Sequence, residues 1–459
     1  MYKIDFEQPG HIHFIGIGGI SMSGFAELLH SMGFTISGSD WNESKITKHL
    51  ETLGIQVVYG QRAENITDNI DLVVYTAAVK STNPEYQEAE RRGIPMMERA
   101  KMVGQVMKNY SSAIAISGTH GKTTTTSIAS HLFLEANMDP TISVGGILEA
   151  IGGNIRIGHS EHFITEACEY TNSFLQFYPT VGIILNIEED HMDFFQDIQD
   201  IRNSFRKFAE RIPAHGTLII NADIPSYEEI TKDLPCKVLT YALEAPADFT
   251  AENIRYNEFG YGSFDLLVQG KKEGHFSLSV VGRHNISNSL ACLALASLYS
   301  IDTDTAQRAL LAFHGTQRRF EYKGKCNGFT IIDDYAHHPT EITATLTSAH
   351  KYPHNTLWCV FQPHTYTRTK AFLKDFAKAL TEADKVILTD IYAAREQDPG
   401  DISSEDIVKE LQLLGKEAYY ISSFQEIEKF ILKNLVDGDL LITMGAGNVV
   451  EIGQNLLNQ

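Results

Sequence analysis

Short runs of apolar residues recur along this chain at intervals that alternate with amphipathic stretches. HIHFI (His11–Ile15), QVVY (Gln56–Tyr59), TLIIN (Thr217–Asn221) and residues 72–76, 113–116, 163–166 and 181–186 each read as a buried strand. Between them lie stretches with apolar positions at helical spacing, such as residues 21–32, 86–92, 99–108 and 125–136. Strand-helix alternation of this kind predicts a mostly parallel sheet with helices on its faces. The pattern changes over residues 256–268 and 275–281, which alternate in the manner of antiparallel hairpins, and 286–298 then reads as a strongly apolar helix. It returns beyond residue 316, with strands expected at 329–332, Leu357–Phe361, 386–389 and 440–443. These breaks predict three domains, at 1–108, 109–315 and 316–459. The expected class is α/β: a Rossmann-like first domain, a central domain of the phosphate-loop type, and a Rossmann-like last domain.

Polar residues gather where the strands end, and there the chemistry begins. The strand at 113–116 runs into SGTHGKTT and then into a helix. In such a loop, glycines let backbone N–H groups approach phosphate oxygens, and the helix N-terminus adds partial positive charge. Lys122 adds a full charge, and a Thr hydroxyl is placed to hold Mg²⁺. The usual spacing wants a glycine where Ile116 stands, but Gly-Lys-Thr falls correctly between strand and helix. Nucleoside triphosphate binding follows. Near the start, Gly16, Gly18 and Gly19 turn a strand into a helix that begins at about Ser21, and Asp40 ends the next strand. This is a dinucleotide-type opening without the NAD spacing, so it predicts a diphosphate on the helix N-terminus.

Glu166 and His191 follow two neighbouring apolar strands and are candidate Mg²⁺ ligands. Gly145-Gly146 and Gly152-Gly153 read as turns. Asn285 and Asn288, at the start of the apolar helix, either read an adenine edge or cap the helix. In the last third, DDYAHHP and QPHTYTR place Asp, His and Arg at consecutive strand tips.

Composition narrows the class. The 459 residues are 43% hydrophobic and 21% charged, as in ordinary globular protein. A net charge of −20 argues against general nucleic-acid binding, so anionic substrates must meet local cations or backbone amides. The opening residues do not read as a signal peptide, and no run is long enough for a membrane span. The five cysteines are dispersed without metal-type pairs, which fits a reducing cytoplasm. Monomer and homodimer are both compatible with the sequence.

Eight stretches in order, HFIGIGGISMSG, SGTHGKTTTT, EACEYTNSF, NIEEDHMDFF, GRHNISNSLA, RRFE, DDYAHHPTEI and FQPHTYTRT, resemble the Mur ligases of bacterial cell-wall synthesis. The resemblance implies an ATP-dependent enzyme that activates the lactyl carboxylate of UDP-N-acetylmuramate as an acyl phosphate. It implies L-alanine as the amine that then displaces phosphate. Gly118, Thr119, His120, Gly121, Lys122, Thr123 and Thr124 match the family's ATP loop. Thr123, Glu166 and His191 match its metal ligands, and Asn285 and Asn288 its adenine region. Arg319 and Asp334 match groups of the third domain that reach the nucleotide. Tyr335, His337, His364 and Arg368 match the amino-acid pocket, with Arg368 pairing the carboxylate. Gly18, Gly19, Ser21 and Asp40 match the UDP site. Lys122, Glu166, His191, Asp334 and His337 are the implied catalytic set.

Two positions depart from the family pattern. Thr365 stands where Arg is common. Arg206 lies near the spot where related ligases carry a carbamylated lysine. Two alternatives stand beside this reading. One is a recycling ligase that joins UDP-N-acetylmuramate to a preformed peptide; the other is a catalytically silent nucleotide-binding protein on the same scaffold.

Overall fold

The computed structural model describes residues 2–394 and 396–458. The chain divides into two compact units, Met1–Glu188 with Ile198–Thr240, and Glu189–Asp197 with Tyr241–Gln459.

The first unit opens with five parallel strands, β1 (His11–Ile15), β2 (Thr35–Asp40), β3 (Gln56–Tyr59), β4 (Leu72–Tyr75) and β5 (Met96–Glu98), in the order 3-2-1-4-5. That order reverses beside β1, so the crevice outside the carboxyl ends of β1 and β4 is the binding position of a doubly wound sheet. The turn after β1 leads into the helix Ile20–Ser31, and its N-cap is Gly19.

The unit continues with β6 (Ser112–Ser117), β7 (Thr141–Leu148), β8 (Gly153–Arg156), β9 (His162–Glu166), β10 (Val181–Ile184), β11 (Thr217–Asn221) and β12 (Lys237–Ala242). They stand in the order 12-11-10-6-9-7-8. Here β6 is central, parallel to β9 and β10, and all six of its residues are buried. Burial on both faces explains why its sequence reads as a continuous small-apolar run rather than an alternation.

In the second unit, β13 (Phe249–Tyr256), β14 (Tyr261–Val268) and β15 (Lys271–Val281) form the expected antiparallel meander. The helix Arg283–Leu298 follows. The last sheet comprises β16 (Glu321–Cys326), β17 (Phe329–Asp334), β18 (Leu357–Phe361), β19 (Lys385–Leu388), β20 (Glu417–Tyr420) and β21 (Leu440–Met444), in the order 16-17-21-18-19-20. Only β16 runs antiparallel. Along β18, Leu357, Cys359 and Phe361 enter one core while Trp358 and Val360 enter another. A strand that feeds two cores is covered by helices on both faces, the doubly wound arrangement expected for this region.

One element differs from expectation. Gly145 and Gly146 lie inside β7 rather than in a turn. The pairing of β7 with β8 is irregular between Ser143 and Leu148, so the glycines mark a disturbed stretch of strand. Gly152 does turn the chain, with φ +66°, and Gly153 opens β8.

Candidate active site

The phosphate loop takes its shape from close backbone packing. Gly118 has φ +150°, and a Cβ there would sit 2.9 Å from the Leu185 Cβ. Gly121, at φ +83°, is the N-cap of the helix Lys122–Glu135. Asn186, just past β10, clamps the loop from its neighbour. Its Oδ1 accepts the His120 N–H at 2.7 Å, and its Nδ2 donates to the His120 carbonyl at 3.0 Å. The Thr119 N–H donates to the Asn186 carbonyl at 3.2 Å, and the Glu188 N–H donates to the Thr119 Oγ1 at 2.9 Å. The loop's shape is thus held by the protein itself.

Lys122 folds back over the loop. Its Nζ donates to the Gly118 and Thr119 carbonyls at 2.5 and 3.0 Å, and lies 2.9 Å from the Glu169 Oε2. Burial opposes its charge, but the Glu169 carboxylate, with Cys168 and Glu166 nearby, outweighs this and raises the ammonium above the ordinary lysine value. The side chain stays cationic at any physiological pH. Glu169 itself is 2% exposed, so this is a desolvated ion pair. Sequence reasoning missed Glu169 and Asn186. Both follow apolar strands by a few residues, the same signal that picked out Glu166.

Glu166 ends β9, paired in register with Ile116 of β6. Its Oε1 accepts the Gly145 N–H at 2.5 Å. A Cβ on Gly145 would stand 2.8 Å from the Glu166 Oε2, and one on Gly146 would stand 3.2 Å from the Thr123 Cγ2. The two glycines therefore let β7 approach Glu166 and Thr123, the Glu166 carboxylate and the Thr123 side chain meeting one bare stretch of backbone. A threonine in the first turn of the loop's helix and a carboxylate at the tip of β9 are hard-oxygen donors of the kind that fit Mg²⁺. Thr124 is half-buried in the first turn of the same helix.

At the first turn, the Gly18 N–H donates to the Asp40 Oδ2 at 2.9 Å, and the Trp41 N–H to Asp40 Oδ1 at 2.8 Å. Asp40 thus braces the glycine turn. Gly19 caps the helix that contains Ser21. Ile20 and Trp41, 58% and 64% exposed, flank this turn. Beneath it, the fully buried Glu85 accepts from Ser39 Oγ at 2.6 Å and Asn65 Nδ2 at 2.5 Å.

The second unit carries the remaining candidates. His191, at φ +54°, donates its N–H to Asp190 Oδ1 at 2.7 Å. Burial would raise the Asp190 pKa, but Arg368, His191 and His338 overcome it and hold the carboxyl well below the usual range. The Arg368 Nη2 donates to Asp190 Oδ1 at 3.0 Å, and its Nη1 lies 3.2 Å from the His364 Nδ1. His364 stacks on Tyr392 with centroids 5.7 Å apart and faces His337 at 5.7 Å. Tyr335 meets His337 edge-on at 5.4 Å, and Arg318 and Arg319 lie over the Tyr335 ring. Tyr335, His337, His364 and Arg368 are therefore brought together, with Asp190, Glu341 and Tyr392 as members that sequence reasoning missed. Burial pulls both His337 and His364 down to about 4, so both are neutral at pH 7.

Asp334 is 5% exposed and accepts from the Phe320 N–H at 2.7 Å, the Ala336 N–H at 2.8 Å and the Thr345 hydroxyl at 3.2 Å. Burial pushes its pKa up to about 6, against the pull of Arg319 and of those backbone donors. Arg319 lies 3.8 Å from Glu341. Thr365, at φ +66°, is the N-cap of the helix Tyr366–Ala371, and its Oγ1 accepts the Arg368 N–H at 3.4 Å. Its hydroxyl thus has a structural task that an arginine would not perform. Neither Asn285 nor Asn288 caps its helix. Asn285 Nδ2 donates to the Val281 carbonyl at 2.8 Å, and Asn288 Nδ2 to Asn285 Oδ1 at 3.1 Å. Both are buried, so the capping alternative fails.

Three α/β sheets and a lysine-bearing phosphate loop define a nucleotide-binding enzyme scaffold. The chain belongs to the Mur ligase family, an ATP-dependent group: residues 11–111 match the Mur ligase family catalytic domain, 116–296 the Mur ligase middle domain, and 318–447 the Mur ligase, glutamate ligase domain. It is 58% identical over 469 residues to the UDP-N-acetylmuramate–L-alanine ligase of Lachnoclostridium phytofermentans, with both chains fully covered. It is 60% identical over 459 residues to the enzyme of that name from Agathobacter rectalis, again over the whole of both chains. Among solved structures, it resembles the UDP-N-acetylmuramate-alanine ligase of Thermotoga maritima, with TM-score 0.81, 30% identity and 98% of each chain covered. A murein peptide ligase from Psychrobacter arcticus matches with TM-score 0.70 and 26% identity, also over 98% of each chain.

Proposed function

We propose that this protein joins L-alanine to the lactyl carboxylate of UDP-N-acetylmuramate at the expense of ATP. A carboxylate is a poor electrophile, so it must first gain a leaving group. In this reading the lactyl carboxylate attacks the γ-phosphate, giving an acyl phosphate, and the alanine amine then displaces phosphate. Two anions must meet in the first step, and positioning with charge neutralisation is what a protein supplies to phosphoryl transfer.

The working parts are assigned as follows. Residues 1–108 bind the UDP-sugar, with Gly18, Gly19, Ser21 and Asp40 at the diphosphate turn. Residues 109–315 bind ATP through Gly118 to Thr124, with Asn285 and Asn288 on the adenine side. Residues 316–459 receive the amino acid, with Tyr335, His337, His364 and Arg368 around it. Lys122 releases the loop carbonyls and Glu169 to meet the β,γ-phosphates. Thr123, Glu166 and His191 would hold Mg²⁺, which supplies further neutralisation of the transferring phosphoryl group. Arg319 and Asp334 act on the nucleotide from the third part. Arg368 exchanges Asp190 for the substrate carboxylate, a bidentate geometry that suits guanidinium.

Among the described residues no helix is long and apolar enough to cross a membrane. The reading makes the enzyme cytoplasmic, where ATP and nucleotide sugars are available. The observation that carries the choice of amine is the 60% end-to-end identity with an L-alanine ligase, against 26% for the murein peptide ligase. The test is phosphate release from Mg²⁺-ATP and UDP-N-acetylmuramate with L-alanine or with the murein tripeptide. Release with alanine alone is expected. Release with the tripeptide alone would replace this reading by the recycling one.

A further inference from the structure

The peptide N–H groups of the turn after β1 are engaged inside the protein. Gly16 and Ile17 both donate to the Ser39 carbonyl, at 2.8 and 2.9 Å, and Gly19 donates to the Gly16 carbonyl at 3.2 Å. Gly18 donates to Asp40 Oδ2. The first internal bond of the helix Ile20–Ser31 runs from the Ser23 N–H to the Gly19 carbonyl. Ile20, Ser21 and Met22 therefore carry the orphan donors of that helix. A diphosphate seated here meets those amides, and their aim follows from how Ser39 and Asp40 hold the turn.

Ser39 and Asp40 are held in turn by one buried side chain. Glu85, in the first turn of the helix Pro84–Arg92, is fully buried. Its Oε2 accepts from Ser39 Oγ at 2.6 Å. Its Oε1 accepts from Asn65 Nδ2, which also donates to the Gly60 carbonyl at 2.9 Å. The Gly60 N–H donates to the Asp40 carbonyl at 2.8 Å. His13 of β1 stands 3.8 Å from the same Oε1. Glu85 thus reaches Ser39 directly, and Asp40 through Asn65 and Gly60. Its partners are a hydroxyl, an amide and an imidazole, not a lysine or an arginine. Burying a carboxylate among such groups opposes folding, and an apolar side chain would fill the space without that penalty. What Glu85 supplies is a pair of aimed acceptors.

We propose that Glu85 positions the UDP-sugar without touching it: by fixing Ser39 and Asp40, it aims the first amides of the helix Ile20–Ser31 at the diphosphate. The inference rests on the assignment of this turn to the UDP-sugar and deepens it. The Glu85 charge by itself repels a diphosphate, so the benefit comes through the contacts and not through the charge. Glutamine keeps both contacts: its oxygen accepts from Asn65, and its amide donates to Ser39 Oγ. Alanine keeps neither. Ser39→Ala retains the carbonyl that holds the turn and removes only its tether to Glu85.

The test is calorimetric binding of UDP-N-acetylmuramate, and separately of UDP, to Ser39→Ala, Glu85→Ala, Glu85→Gln and the double alanine variant, with steady-state kinetics beside it. Ser39→Ala should raise the Kd for both nucleotides roughly 10- to 100-fold, the scale of one hydrogen bond to a charged group. The KM for UDP-N-acetylmuramate should rise with it, while kcat and the KM values for ATP and L-alanine stay unchanged. Glu85→Gln should bind as the unaltered protein does. The double variant should bind no more weakly than Glu85→Ala, because both changes act along one path. Should Glu85→Ala fail to fold, Ser39→Ala and Glu85→Gln carry the test. A purely structural Glu85 would lower the melting temperature or the binding stoichiometry and leave the Kd of the alanine variants unchanged, and that result overturns the proposal. Additive losses in the double variant, or a glutamine variant as weak as the alanine one, also overturn it. An unaltered protein that binds neither nucleotide would instead refute the UDP-sugar reading.

Discussion

Lys122 carries more of this account than any other single side chain, and its surroundings say how it is kept ready. It is neutralised by Glu169 and two loop carbonyls, so the loop does not collapse around an unpaired charge. Lys122→Ala should lower turnover by at least about 10²- to 10³-fold, the cost of losing one aimed electrostatic donor. UDP-sugar binding, followed by calorimetry, should survive. The same substitution removes the ammonium paired with the buried Glu169 carboxylate, a loss of up to about 3–5 kcal/mol. Adding Glu169→Gln should therefore recover much of the melting temperature and none of the turnover.

Asp334 makes a second prediction at this scale. Its folded pKa of about 6 lies above the ordinary carboxylate value, so the folded chain binds this proton more tightly than the unfolded chain. Its contribution to stability is present below the ordinary value and declines as pH rises through about 6. Asp190, held low, acts in the opposite sense: its contribution is present above the ordinary carboxylate range and is lost as pH falls. In Asp334→Asn the melting temperature relative to the unaltered protein should improve between pH 4 and pH 7. A difference that does not change with pH would contradict the assigned burial. The sequence marked both Lys122 and Asp334, because motif spacing exposes them. It did not single out Glu169 and Asn186, which share the strand-end signal of Glu166 but whose roles depend on which strand tips meet in space, nor Glu341, which no such signal marks.

At the scale of elements, the apolar runs were legible because most are buried on both faces, and four strands were delimited to the residue: His11–Ile15, Gln56–Tyr59, Thr217–Asn221 and Leu357–Phe361. The helix expected at 99–108 does begin at Arg99, but other helix starts were read late. The helix expected from residue 125 begins at Lys122, because the polar threonines of its first turn carry no apolar periodicity. Gly145-Gly146 misled for a different reason. Glycine marks a turn or a close approach with the same letter, and here β7 must pass Glu166.

A third glycine shows how tightly such approaches are packed. A Cβ on Gly104, in the helix Arg99–Met107, would lie 1.9 Å from the Gln176 backbone carbonyl. Gly104→Ala should destabilise the chain by more than about 2 kcal/mol, as overpacking against backbone does. Gly153 has no positive φ and no atom within 4 Å of the position a Cβ would take, so it should accept alanine with no more than a small change. Thermal melts of the two variants compare them directly. Equal melting temperatures would contradict the close helix contact.

For the whole molecule, three α/β sheets serve one chemical sequence, and the order of their motifs along the chain made the family legible before the fold was seen. The central claim is that the cradle at Gly118–Thr124 passes a phosphoryl group to the lactyl carboxylate, not to water. The measurement that bears on it most directly uses UDP-N-acetylmuramate labelled with ¹⁸O in that carboxylate, turned over with Mg²⁺-ATP and L-alanine. Mass spectrometry of the released phosphate should find one ¹⁸O per phosphate, carried across when the acyl phosphate breaks. Unlabelled phosphate, released at the same rate as amide forms, would contradict the account.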